Sequence, residues 1–394
     1  MIERQAPWWR LLSVLVLAGA SALAACGDGG GTKPVPQAPA PTEDPAPDAV
    51  DPTPVGDDTP AFRTAAECGK CHVEIYEEWK ASYHGRAMSD PLFRELSAEV
   101  NKEECIRCHA PVNLRDSGFE TPVARSELRE DAISCLSCHQ SGGNVAGPNG
   151  GLSGACRPVG DPDQTNVIKM CFVCHNQHDT GNEWLRGPWS KGEGEVPMKD
   201  WMDCHMPEVE RPLVPGGPVR KGRRHTWFGG HSTNMLKKAA KLDVEIKKLD
   251  DGGFRFEVFV TNVGAGHAIP TDARHRSFDT YLLLRDADGN LILDPLQASQ
   301  QRKAHLAKFR KFYRGSGKKD TQIPPKARVS TLGEGKGYLD VPEAVSGTGE
   351  AWLVYRLTPR DVLNKRSLQY TEGDDHTKLW QARVIHRLEF TYGP

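Results

Sequence analysis

The chain has 394 residues, with 50 basic and 52 acidic side chains and a formal net charge of −2. This balance argues against a protein that binds nucleic acid by neutralising phosphates. Internal apolar runs fall short of the roughly 20 residues that span a bilayer, which excludes a polytopic membrane protein, and the length favours two domains. The 11 Cys residues cluster beside several of the 14 His residues. That arrangement indicates a cofactor rather than a disulfide framework.

The N-terminus has the features of an export signal. An apolar stretch of 15 residues at 11–25 follows a short basic segment, and it suits a signal-peptide core but is too short to span a membrane. Small residues lead into Cys26, an ending that resembles the bacterial lipoprotein signal, in which the Cys becomes the lipidated first residue. An ordinary signal peptide followed by a chance Cys is the alternative. Gly27 after the Cys implies, in related lipoproteins, export to the outer membrane. We therefore expect a lipid-anchored protein of the cell envelope, facing the periplasm or the outside.

The next segment is predicted to be a tether. Residues 33–60 contain nine Pro and six acidic residues in 28, with no aromatic residue. Such a composition buries too little apolar surface to fold. In polyproline geometry, at about 3.1 Å per residue, the segment reaches roughly 90 Å. We predict a signal peptide at 1–25 and a disordered tether at 26–63.

Four copies of Cys-x-x-Cys-His come next, and this is the attachment signature of c-type haem. Two thiols three positions apart lie on one helical face and reach the two haem vinyl groups, while the adjacent His points at the iron. Zinc or disulfides would leave the His after every second Cys unexplained. The predicted haem c residues are Cys68, Cys71 and His72; Cys105, Cys108 and His109; Cys135, Cys138 and His139; and Cys171, Cys174 and His175.

A fifth element is degenerate. The stretch WMDCH keeps Cys204 and His205 but has Trp201 where the first Cys belongs, at the position where the motif spacing would put a fifth haem. Three alternatives stay open. In the first, the haem is held by one thioether through Cys204. In the second, the haem is lost and Cys204 is structural. In the third, Cys156 takes part, through a thioether or through a disulfide with Cys204, which an oxidising compartment would allow.

Each iron needs a sixth ligand unless it is a reaction site. His178 lies three residues after His175, on the same side of a helix, so we assign it to a different haem. His84 lies 12 residues after His72. This is about 18 Å along a straight helix, so His84 serves another haem or follows a chain reversal. The candidate distal ligands equal the five motifs in number and are His84, His178, His225, His231 and His267.

The opening stretch CGKCHVEIYEEWKASYHGRAM resembles the cytochrome c-552/4-type multihaem family, related to the tetrahaem cytochrome of nitrification. The family has CxxCH, then Trp, Ser and a distal His in the order seen here, which is His72, Trp79, Ser82 and His84. DCHMP at 203–207 and RRHTWFGGH at 223–231 resemble the closing haem motif and a later distal-ligand segment. The resemblance covers roughly residues 64–235 and implies bis-His, low-spin haems that carry electrons. Trp201 departs from the family pattern.

Residues 64–238 offer little apolar material for an ordinary core. The segments between motifs are rich in Gly, Pro and charge. We therefore expect a mostly α or irregular domain in which the porphyrins themselves form the core.

Beyond Lys241 the pattern changes to period two, with short apolar strands separated by turn signals such as DDGG and DADGN. Regularly spaced short strands indicate an all-β, immunoglobulin-like sandwich, which we place at 239–394. Its predicted strands include Leu242, Val244 and Ile246; Phe254, Phe256, Val258 and Val260; and residues 278–284, 351–357 and 384–392.

One segment of this domain, TNVGAGHAIPTDAR at 261–274, is unusual for a plain strand and turn. It resembles a loop of sandwich domains appended to multihaem cytochromes, where the His faces the haem region. His267 is therefore a candidate ligand or haem-contacting residue. A turn His held between glycines is the alternative.

These features favour an electron carrier over an enzyme. Closely spaced bis-His haems of low potential suit an envelope respiratory chain, with other cytochromes and quinol oxidoreductase modules as partners, a membrane contact through the lipid on Cys26, and no nucleic acid. The sandwich would serve as a docking or spacing module. The alternative is an oxidoreductase that acts on a small nitrogen or sulfur species at one open-site haem, centred on His205.

Overall fold

The computed structural model describes residues 63–98, 102–141, 144–147, 159–160, 165–271, 276–314, 317–330, 335–342, 344–357 and 382–393. The predicted signal peptide and nearly all of the tether, with Cys26, lie outside these residues, and so does Cys156. The described residues belong to one unit that begins at Asp58. Within them, no helix is long and apolar enough to cross a membrane.

Within residues 63–239, which we call the motif region, the described residues form short helices joined by loops. In chain order the helices are α1 (Ala65–Gly69), α2 (Val73–Ala81), α3 (Pro91–Ala98), α4 (Lys102–His109), α5 (Leu114–Ser117), a 3-10 helix (Arg129–Asp131), α6 (Cys135–His139), α7 (Thr165–His175), α8 (Thr180–Arg186), α9 (Pro188–Lys191), α10 (Trp201–His205) and α11 (Thr233–Ala239). Helices α4, α6, α7 and α10 each end at the His of a motif, so the thiols and the imidazole share one or two helical turns.

A few short strands complete the motif region. They are β1 (Gln140–Ser141), β2 (Asn144–Gly147), β3 (Val159–Gly160), β4 (Glu208–Pro212) and β5 (Val219–Arg223). Strands β4 and β5 form an antiparallel hairpin directly after α10, with Glu208 opposite Arg223. This hairpin brings the segment that follows β5 back toward the helices.

Capping side chains stabilise helices that are too short to persist alone. Thr64 caps α1 in a capping box, in which its hydroxyl accepts from the Glu67 N–H and the Glu67 carboxylate accepts from the Thr64 N–H. Asp200 and Asp203 make the same reciprocal arrangement at α10. The helix of the degenerate motif is therefore built like the helix of the first motif.

The C-terminal region, which we call the sandwich, is made of antiparallel strands. They are β6 (Ala240–Lys248), β7 (Phe254–Asn262), β8 (Ser277–Asp286), β9 (Leu291–Leu293), β10 (His305–Phe309), β11 (Lys311–Arg314), β12 (Gly317–Asp320), β13 (Arg328–Val329), β14 (Tyr338–Val341), β15 (Gly347–Arg356) and β16 (Arg383–Tyr392), with the short helix α12 (Gln301–Ala304) before β10. One sheet has β7 between β6 and the pair β13 and β14. The other runs β10-β8-β15-β16, with β9 also on β8.

The two sheets enclose the core of the sandwich. Side chains of β7 alternate in burial, and Phe254, Phe256, Val258 and Val260 all point inward. The Phe256 ring centroid lies 5.1 Å from that of Tyr392 on β16, which belongs to the other sheet. The period-two prediction is confirmed, and with it the fold class of a helical or irregular motif region followed by a β-sandwich. The domain boundaries at 63/64 and 238/239 stay predictions.

Candidate haem-binding residues

The imidazoles of three motifs are held in one orientation by backbone carbonyls. The Nδ1 of His72 donates to Leu213 at 3.0 Å and that of His109 to Ala87 at 2.9 Å. The Nδ1 of His205, in the degenerate motif, donates to Phe228 at 2.8 Å. A carbonyl oxygen only accepts, so the proton is on Nδ1 and the Nε2 lone pair is left for a metal. A metal-ligating His has this arrangement.

Two pairs of imidazoles lie at a separation that fits a shared metal. The ring centroids of His84 and His175 lie 6.0 Å apart with an interplanar angle of 28°. Those of His139 and His225 lie 6.1 Å apart, at 34°. Two imidazoles on opposite sides of one metal, each with a bond of about 2 Å, have centroids about 6 Å apart. The residues present therefore fit two six-coordinate irons.

Burial keeps these imidazoles neutral. Burial and then the neighbouring His175 lower the pKa of His84 to about 3. Burial, followed by the charge of His139, lowers the pKa of His225 to about 4. Burial is also the largest cause that lowers the pKa of His205 to about 4, and His267 and His175 add to it. A neutral imidazole is the form that binds a metal.

The degenerate motif lies in an aromatic cluster. Trp201 is buried, with its ring 4.8 Å from that of His205 and 6.0 Å from that of His267. On its other sides it makes edge contacts with Phe172 and Trp184. Trp201 thus occupies the space beside His205, and the loop of the sandwich brings His267 to the same place.

The remaining two candidate ligands are held by the sandwich. The ring of His231 stacks on Tyr83 at 3.5 Å, and its carbonyl accepts from Arg383 at 2.6 Å. The carbonyl of His178 accepts from Lys311 Nζ at 2.7 Å. The sandwich therefore contacts both segments.

The motifs are neighbours in space as well as in sequence. The thiol of Cys68 lies close enough to that of Cys135 to interact with it, and the thiol of Cys108 likewise with that of Cys174. The first motif is thus adjacent to the third, and the second to the fourth. Burial raises the pKa of Cys138 to about 11 and that of Cys171, with nearby charges, to about 12.

Trp79 and Ser82, which belong to the stretch that resembles the cytochrome c-552/4-type family, have a structural role. The indole N–H of Trp79 donates to the Ile133 carbonyl at 2.7 Å, which ties α2 to the loop just before the third motif. Ser82 donates to the Trp79 carbonyl at 2.6 Å. A Cβ on Gly85 would lie 2.4 Å from that carbonyl, so only Gly fits. Together these contacts shape the turn that presents His84.

Sequence analysis missed the charged side chains that hold the ligand segments. Glu78 on α2 contacts Arg211, Arg224 and the backbone of His225. Glu183 on α8 contacts Lys311 and the backbone next to His267. Each is one of many charged residues, with partners more than 80 positions away, so the sequence carries no local signal for them.

Two comparisons with known proteins found a similarity. Residues 67–140 match the family model described as cytochrome c554 and c-prime. The crystal structure of a penta-haem cytochrome c552 from Thermochromatium tepidum is similar to the chain, with a TM-score of 0.60, 20% identity, and coverage of 84% of this chain and 99% of that one. No curated protein matches. The four Cys-x-x-Cys-His motifs, the family match over residues 67–140 and the shared fold support a multihaem c-type cytochrome. The structural match covers 84% of the chain, which is more residues than either the motif region or the sandwich contains, so it includes part of the sandwich.

Proposed function

We propose that this protein carries electrons through closely spaced, bis-His low-spin haems in an envelope respiratory chain. The observation that carries the proposal is that two pairs of imidazoles, His84 with His175 and His139 with His225, lie at the separation of two ligands on one iron. Bound haem supplies an iron that alternates between the ferrous and ferric states. A six-coordinate iron has no position for a substrate, and such a centre transfers electrons without other chemistry.

The chain's own residues would divide the work of binding in a simple way. The two thiols of each complete motif attach the haem edge, and the motif His approaches from the proximal side. The carbonyls that accept from Nδ1 of His72 and His109 fix the imidazole planes and the tautomer. His178 and His231 are proposed as further distal ligands, and the contacts of Lys311 and Arg383 with their backbone hold both segments.

A fifth haem is proposed at the degenerate motif, attached by one thioether through Cys204. His205 has the same Nδ1 contact with a carbonyl as His72 and His109, which supports a ligand role. His267 contributes to the electrostatic environment of His205, and we propose it as the distal ligand. The relative from Thermochromatium tepidum is described as penta-haem. A six-coordinate iron here disfavours the alternative of a reaction site centred on His205.

Close contact between motifs supports electron flow between haems. Thioethers form at the vinyl-bearing edge of a haem, so neighbouring thiols imply neighbouring edges. Cys68 lies beside Cys135, and Cys108 beside Cys174, which pairs the first haem with the third and the second with the fourth. Trp201 lies between the fourth motif's Phe172 and His205, which brings the fifth site next to the fourth.

We also propose that the protein is anchored by a lipid on Cys26 at the outer membrane, with other redox proteins as partners. The tether would let the haem-bearing unit stand clear of the membrane. The sandwich would do more than separate or dock, because its loop at His267 and its Lys311 and Arg383 hold ligand segments of the motif region.

An EPR spectrum of the oxidised protein, integrated against its haem content, tests the proposal. Low-spin signals that account for every haem would support the carrier. A high-spin signal near one haem equivalent would indicate an open coordination position, and the oxidoreductase alternative would replace the carrier.

A further inference from the structure

One carboxylate in the motif region gathers an unusual number of donors. Glu78 lies on α2, in the helix that follows the first motif, and only 14% of its side chain is exposed. Arg211 donates to both of its oxygens at 2.8 Å, and Arg224 donates to Oε1 at 2.9 Å. The backbone N–H of His225 donates to Oε2 at 2.8 Å.

The same cluster fixes the ring of His225. Its Nδ1 donates to the Arg223 carbonyl at 3.0 Å, and Arg211 donates to that carbonyl at 3.3 Å. Arg211 therefore binds both the carboxylate that holds the His225 backbone and the carbonyl that holds the His225 ring. This leaves Nε2 of His225 for a metal, on a ring whose centroid lies 6.1 Å from that of His139.

The charge balance favours an ionised carboxylate. The guanidinium groups of Arg211 and Arg224 and the backbone N–H of His225 surround the carboxylate, and these donors favour its charged form. Hydrogen bonds to an ionised group are among the stronger ones in proteins. Two carboxylate oxygens accept all four of these hydrogen bonds, which a neutral amide could not do.

We propose that Glu78 is a positioning residue for the distal ligand of the third haem. Through it, the helix after the first motif sets the place and plane of His225 opposite His139. The inference rests on the proposed function, because it takes His225 as an iron ligand.

The matched control is Glu74, one turn earlier on α2. Its carboxylate lies 3.7 Å from Arg211 and is 67% exposed. Glu78→Gln keeps the size of the side chain but loses one acceptor oxygen and the charge. Glu74→Gln makes the same chemical change without touching the ligand segment.

The test compares the holoproteins Glu78→Gln, Glu74→Gln and His225→Ala by EPR and haem content. We expect Glu78→Gln to change the EPR signal of one haem, either by shifting the low-spin signal or by converting it to high spin. This should be the same haem that His225→Ala converts to high spin, and the haem content should stay unchanged. Glu74→Gln should match wild type. A wild-type spectrum for Glu78→Gln, beside a high-spin haem in His225→Ala, would overturn the positioning role alone. No change in His225→Ala would overturn the ligand assignment on which both proposals depend.

A second variant keeps the test decisive if Glu78→Gln yields too little protein. Replacing a buried ion pair by apolar residues of similar volume is often neutral for stability, so Glu78→Met with Arg211→Met should fold. It removes the acceptor for the His225 N–H and the second donor to the Arg223 carbonyl. The same one-haem spectral change is expected, and an unchanged spectrum would reject the proposal.

Discussion

The ammonium group of Lys311, on β11 of the sandwich, lies 3.2 Å from the carboxylate of Glu183, on α8 of the motif region. Only 2% of the Lys311 side chain is exposed. The other oxygen of Glu183 accepts from the backbone N–H of Ala268 at 3.0 Å, directly after His267. One carboxylate therefore holds both β11 and the loop of His267 against the segment after the fourth motif.

Removing this charge should loosen the contact between the two regions. Glu183→Gln leaves Lys311 buried with Asp320 at 3.6 Å as its remaining carboxylate. We expect the free energy of unfolding to fall by at most about 3 kcal/mol, because breaking a buried ion pair costs roughly 3–5 kcal/mol when no partner remains. Calorimetry of the holoprotein measures the loss. Glu193→Gln, which breaks an exposed pair with Lys191, is the control and should leave the transition unchanged. Equal transitions for both variants would show that the Glu183 contact contributes nothing.

His84 provides the most direct test of ligation. His84→Ala removes one of the imidazoles that face each other across 6.0 Å, and His175 remains to hold the iron from the other side. We expect one haem to become high spin while the total haem stays constant, as measured by EPR and by haem content. His386→Gln is the matched control, because His386 is a strand residue whose Nε2 donates to the Ala240 carbonyl. Loss of a whole haem, or no spin change, would argue against the ligand assignment.

Cys204 decides the number of covalent haems. Thioether formation adds the thiol across a vinyl double bond, with the proton going to the terminal carbon, so the mass rises by a complete haem and no electrons are exchanged. Intact-mass measurement should show five haems in the wild type and four in Cys204→Ser. Cys156→Ser is the control, and five haems are expected there. A wild type with four haems, and a mass two hydrogens lower than free thiols predict, would favour a Cys156–Cys204 disulfide.

Asp279 on β8 should make the sandwich sensitive to acid. Burial raises the pKa of Asp279, but the hydrogen bond from His305 and the positive charges of Lys308 and Arg356 outweigh it and hold the pKa well below the ordinary 3.8. Because the folded pKa is lowered, the stabilisation is complete above the unfolded pKa and is lost as pH falls through the lower, folded pKa.

The matching variant is Asp279→Asn. It removes the carboxylate that lies 2.9 Å from the buried guanidinium of Arg356, and at neutral pH we expect the free energy of unfolding to fall by roughly 3–5 kcal/mol. In calorimetric scans at several pH values, the difference in the free energy of unfolding between the variant and the wild type should become smaller below about pH 4. Asp340→Asn, at a partly exposed pair with Arg255, should have little effect. A gap that does not change with pH would show that charge is not the origin of the effect.

The sequence predicted what is local and periodic. The Cys-x-x-Cys-His motifs were recognisable because their chemistry is confined to five consecutive residues. The strand with Phe254 and Phe256 was recognisable because burial on one face imposes a period of two. The sequence did not predict the sheet order, because β8 pairs with β15, some 70 positions later, and the residue pattern of a strand does not identify the strand with which it pairs.

Partnerships between distant residues were equally hidden. Helical spacing showed that His84 does not oppose His72 on a straight helix, but the facing of His84 and His175 depends on how α2 and α7 come together. From the sequence alone, Trp201 indicates only that the first Cys of the motif is missing. Its contacts with Phe172 and Trp184 arise from three helices that meet in space, which a single motif cannot express.

The contact between Arg383 and the His231 carbonyl has a consequence for biosynthesis. The chain is synthesised from its N-terminus, so every haem motif leaves the ribosome well before β16 does. The contact of Arg383 with the His231 carbonyl forms when the last strand arrives, and the position of the His267 loop depends on the sheet to which the loop belongs. Maturation thus ends with the sandwich, and a chain cut short by even its final strand would keep its covalent haems but lack the contact that secures a proposed ligand.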